Sequence, residues 1–180
     1  MRVALPGVVR VLPLGRPVAA VRVYAALLRD LRGGGAAGDL EAVAIEAVET
    51  ALREHAVLLA VVTPPGAAPA VLTGTVLTVP RPWDADTAET LRDALEDRGA
   101  RDTIVLPRRH GPAILAQRGR RLQAFLPAPG GGRLLLLTLA ASATLGWVAH
   151  QAVLAAIATD PADDADDSFE HHTFRLCGPG

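Results

Sequence analysis

Lysine and asparagine are missing altogether from this 180-residue chain, cysteine and methionine occur once each, and aromatic side chains make up 3%. Each shortage removes a possibility. Without lysine there is no phosphate-binding P-loop, and neither GGG stretch, at 33–35 or 130–132, matches a phosphate-binding glycine pattern. The single Cys177 excludes an internal disulfide, and a free thiol suits a reducing cytoplasm. Ser142 and Ser168 are the only serines, so no nucleophile elbow can be built. Few aromatics are available to stack bases, and a net charge of −1 supplies no field to gather nucleic acid or anionic lipid. The N-terminus also lacks an uninterrupted apolar core, because Pro6, Arg10 and Pro13 break it. A cytoplasmic protein without nucleic-acid partners is the expectation.

Half of the residues are hydrophobic, so Ala, Val and Leu must fill the core. The length suits one domain, expected over 1–159, followed by an acidic, turn-forming and mobile tail over 160–180. All 18 basic residues are Arg. The codon usage of a GC-rich genome explains that bias, which weakens any argument that arginine was chosen for phosphate.

Leu134–Thr159 runs for 26 residues without one Asp, Glu, Lys or Arg. Its length permits a membrane-spanning helix, and a span over Leu134–Ala158 is the alternative to be tested. The opposing signals are local. Gly130–Gly131–Gly132 is a turn into a strand, Ser142 and Thr144 fall where a helix would start, and His150 and Gln151 would be stranded in hydrocarbon. The segment therefore reads as a buried strand, Leu134–Leu139, followed by a helix, Thr144–Ala158, buried on nearly all sides.

Elsewhere the periodicity is plainer. Val8–Leu14 has strand character. Helical spacing follows from Pro17, with Val21, Tyr24, Leu27, Leu28 and Leu31 on one side, stopped by Gly33–Gly35. Asp39 is the expected N-cap of a helix over Leu40–His55. Val57–Val62 and Ala70–Val79 read as an antiparallel pair around Pro64–Pro65–Gly66. Asp86 and Glu89 have capping-box spacing for a helix that ends before Gly99. Thr103–Leu106, Pro112–Gln117 and Leu122–Leu126 are three further strands. The expected fold class is α+β, an α/β sandwich with a central, mostly antiparallel sheet flanked by helices.

The late pattern is a helix over Asp86–Arg98, then TIVLP, GPAILAQR, LQAFLPAPGGGRLLLLTLAAS and a terminal helix. In element order it resembles the PsbP-like α/β sandwich family over about residues 57–158. That resemblance implies a central antiparallel sheet and a binding or accessory role without known chemistry.

Arg108, Arg109, Arg118, Arg120 and Arg121, with His110 among them and Arg101 nearby, gather around one expected hairpin. Guanidinium binds carboxylate and phosphate bidentately, so the five arginines are the candidate surface for a protein partner. The plainer reading is a solvated strand pair whose edge is protected by charge. Asp160, Asp163, Asp164, Asp166, Asp167, Glu170, His171 and His172 miss the calcium-loop spacing, and His171, His172 and Cys177 miss that of structural zinc. No metal or cofactor is expected, nor a catalytic residue. A small enzyme with an unrecognised site at His150 or His110 remains the alternative to a non-enzymatic binding or accessory protein.

Overall fold

The computed structural model describes residues 2–31, 39–79, 81–141, 143–159 and 172–175. In chain order the elements are β1 (Arg2–Leu5), β2 (Val9–Val11), α1 (Pro17–Leu31), α2 (Leu40–Arg53), β3 (Leu58–Val62), β4 (Ala70–Thr78), α3 (Ala85–Asp97), β5 (Arg101–Leu106), β6 (Ala113–Arg118), β7 (Arg121–Pro127), β8 (Arg133–Ala141), α4 (Trp147–Thr159) and β9 (His172–Arg175). Seven strands make one antiparallel sheet in the order β2-β3-β4-β8-β7-β6-β5, and β1 pairs with β9 in a second, two-stranded sheet. The α+β sandwich expected from the sequence is the observed fold.

The uncharged segment explains the centre of this sheet. β8 pairs with β4 over nine positions, from Ala70 opposite Ala141 to Thr78 opposite Arg133, and with β7 along its other edge. A strand covered on both faces reads as a continuous apolar run rather than an alternation. Leu135, Leu137 and Leu139 point to one face, while Leu134 and Leu136 point to the other. Over the first face lie α4, through Val153, Leu154, Ile157 and Ala158, and β1, through Val3 and Leu5. On the opposite face α1 and α2 cover Leu59 and Val61. Beside them α3 and Trp83 cover Ile114 and Phe125. Among the described residues no helix is long and apolar enough to cross a membrane, so the span over Leu134–Ala158 does not form: a strand and a helix take its place.

Several boundaries differ from expectation for local reasons. Asp39 makes no side-chain cap hydrogen bond to α2. That helix ends at Arg53, and His55 beyond it takes a positive φ of 54°. The cap of α3 is Asp84, not Asp86: its carboxylate accepts from the Thr87 N–H at 2.8 Å. α4 starts at Trp147, whose N–H donates to the Thr144 carbonyl; Ser142 and Gly33–Gly35 lie outside the described residues. Nor is α4 buried all round, since Val148 is 76% exposed. The pairing of β1 with β9 is not foreseen by the sequence reading. Residues 160–171 and 176–180, which carry most of the acidic tail, lie outside the described residues.

Trp83 shows how one aromatic in a poor complement is used. Its indole Nε1 donates to the Pro112 carbonyl at 2.7 Å and its backbone N–H to the Gly131 carbonyl at 3.0 Å. The loop before α3 is thereby tied to the β5–β6 loop and to the β7–β8 turn. Gly111, at φ 109°, gives the indole room: a Cβ there would stand 2.9 Å from Trp83 Cδ1.

Candidate functional site

The five candidate arginines divide into two groups at opposite ends of β6. Arg108 and Arg109, with His110, stand in the loop between β5 and β6, while Arg118, Arg120 and Arg121 surround the turn from β6 to β7. Six strand residues at about 3.3 Å each keep the groups roughly 17 Å or more apart. The structure therefore does not bring the five into one patch.

The second group has the clearer geometry. Gly119, at φ 59°, is the first central residue of a two-residue hairpin turn, the position where a type II′ turn calls for glycine. Closing the strands so tightly sets Arg118 directly opposite Arg121. Both are exposed, and neither guanidinium has a hydrogen-bond or ion-pair partner among the described residues. Like charges facing each other across a ladder are unfavourable, and a shared anion relieves that repulsion.

The start of α4 lies against this hairpin. Trp147 Nε1 donates to Gln117 Oε1 at 3.1 Å, one residue before Arg118. The Ala141 N–H donates to the Arg120 carbonyl at 3.3 Å. Gly146 turns the chain into the helix at φ 74°, in a place where any Cβ would overlap Ala67. Around that turn Leu145 is 67% and Val148 76% exposed, in contrast to Leu154 and Ile157 on the helix's inner side. Exposed apolar side chains at the start of α4 thus stand at the same end of the sheet as the Arg118–Arg121 pair.

Gln117 Oε1 accepts a second hydrogen bond, from Gln151 Nε2 at 3.1 Å. Both glutamines border a cavity of about 270 Å³ between α4 and the β5–β7 part of the sheet. Trp147 and Gln151, four residues apart and hence on one side of the helix, are the signal in the sequence that reading by charge passes over.

His150, the expected alternative centre, is 0% exposed, and among the described residues neither ring nitrogen has a hydrogen-bond partner. Its ring lies 6.3 Å from that of Trp147 at an interplanar angle of 54°. The imidazole does not line the cavity. Among the described residues no group of three or more His, Cys, Asp or Glu side chains is placed to hold a metal; His171 and Cys177 lie outside them. Comparison with models of known protein families, with curated proteins and with solved structures gives no match to this chain.

Proposed function

We propose that the protein is a non-enzymatic binding or accessory protein that docks a protein partner through the β6–β7 hairpin and the start of α4. Exposed Leu145 and Val148 at the start of α4, which Trp147 ties to Gln117 next to the Arg118–Arg121 pair, support this reading. Interfaces gain affinity from a few apolar anchors that are desolvated at the centre, and arginine is enriched around them. The partner that fits presents an apolar pocket bordered by Asp or Glu. Arg120 belongs to the same surface; Arg108 and Arg109 stand apart from it and would serve a second contact. A cytoplasmic location and kinship with the PsbP-like sandwiches, on element order over 57–158, form part of the same proposal.

The reading is tested by capturing partners from the native host with tagged protein, then measuring the purified partner against variants. Val148→Asp should weaken binding at least tenfold, as expected for loss of a central anchor. Reversing Arg118, Arg120 and Arg121 to Glu should slow association and remove its salt dependence. A partner bound equally well by all variants docks elsewhere, and the reading fails.

A further inference from the structure

We propose that the cavity between α4 and strands β5–β7 binds a small neutral molecule with an apolar body and an amide head group. This goes beyond the docking surface and does not depend on it. The cavity's floor and walls are Ile104, Leu115, Leu122 and Leu154, and its volume of about 270 Å³ lies just below the range of drug-sized ligand sites, which suits a small occupant. Ile104 is 51% exposed on the edge strand, apolar surface that an occupant would cover. The head-group assignment rests on how the two glutamines are used. Gln117 Oε1 is taken by two donors, Trp147 Nε1 and Gln151 Nε2. That fixes the orientation of both side-chain amides. It leaves the Gln117 NH₂ to donate and the Gln151 carbonyl to accept. A donor beside an acceptor is the complement of an amide, whose own carbonyl and N–H are offered in the same way. Charge narrows the choice further. Asp102, held at φ 52° in the irregular pairing between Arg101 and Ile104, is the one charged residue on the lining, so a carboxylate or phosphate head finds no cation there.

The chain's two tryptophans make the test direct, because Trp83 lies on the opposite face of the sheet from α4. Isotope-labelled full-length protein is titrated with hexanamide, and with hexanoate in parallel, while both indole N–H signals are followed. Hexanamide should move the Trp147 signal saturably and leave Trp83 in place, with hexanoate at least tenfold weaker. Gln151→Leu should weaken hexanamide about fivefold, the usual worth of one neutral hydrogen bond. Ala155→Phe, which fills the cavity, should abolish the effect while an unmoved Trp83 signal reports an intact fold; if that variant does not fold, Gln151→Leu carries the comparison. Hexanamide that moves neither indole, or both alike, overturns the site. Equal binding of hexanoate, or an unchanged affinity in Gln151→Leu, overturns the amide assignment. Either failure leaves the arginine surface untouched, since none of these variants alters it.

Discussion

At the scale of single residues, the costliest choice in the core is His150. A buried polar side chain without partners forfeits its hydration and gains nothing in return, a loss of about 1–3 kcal/mol. His150→Leu is therefore expected to raise stability by about 1–2 kcal/mol, read from the urea midpoint at unchanged slope. A fall in the midpoint would mean that the imidazole has a partner in solution. Gly146→Ala is expected to act in the opposite direction and by more, because the new Cβ collides with backbone and side chain of Ala67 in a left-handed conformation. Neither consequence is legible in the sequence. His150 could be recognised there as a histidine on an apolar helix, but whether anything reaches its nitrogens depends on strands far away in the chain. The same holds for Gln117, whose importance comes from two residues of α4 some thirty positions later.

Elements were far more legible than sites, for a physical reason: period and capping are local, whereas a site is assembled from distant segments. The uncharged run shows both sides of this. Its division into strand and helix follows from the glycines just before the run and from Ser, Thr and polar residues within it. How much of α4 is covered does not, because coverage is set by what the sheet and β1 leave open. A helix of Ala, Val, Leu and Ile looks as though it must be buried all round, yet its outer side is mostly alanine, which costs little in water. The cap of α3 makes the same point at finer grain. Asp84 and Asp86 are both acceptable caps by type, and only the extended backbone of Asp84, with φ −131°, lets its carboxylate reach the Thr87 N–H. That hydrogen bond holds the Asp84 carboxyl below its ordinary value. A depressed carboxyl contributes stability above its unfolded-state value and loses it as pH falls through the folded-state value. Asp84→Ala is thus expected to lower the urea midpoint at neutral pH, and the gap to the parent should close as the solution is acidified below the ordinary carboxylate range. A gap that stays constant into strong acid would show that the ionised cap is not its source.

For the molecule as a whole, the sheet is the common wall of three apolar clusters, and damage should scale with closeness to its middle. Leu137, wholly buried on β8, is expected to cost about 3 kcal/mol when cut to Ala, whereas Ile104 on the edge strand should cost less than about 1 kcal/mol. Equal losses at the two positions would mean that the edge is as well packed as the centre. The arginine groups also take their meaning at this scale. Their nearness in sequence suggests one patch, but an antiparallel strand carries its two ends apart, and the Arg118–Arg121 group is the one tied to the start of α4 through Gln117 and Trp147.

The pairing of β1 with β9 has a kinetic consequence. Val3 and Leu5 sit in the core, opposite Phe174 and His172 in a ladder that joins segments about 170 positions apart. On the ribosome β1 must wait for about 170 further residues before β9 can clasp it, and closing so long a loop is entropically slow. Until then the underside of α4 lacks one of its covers, so the nascent chain passes through a stage at which its most apolar helix is open to chaperones.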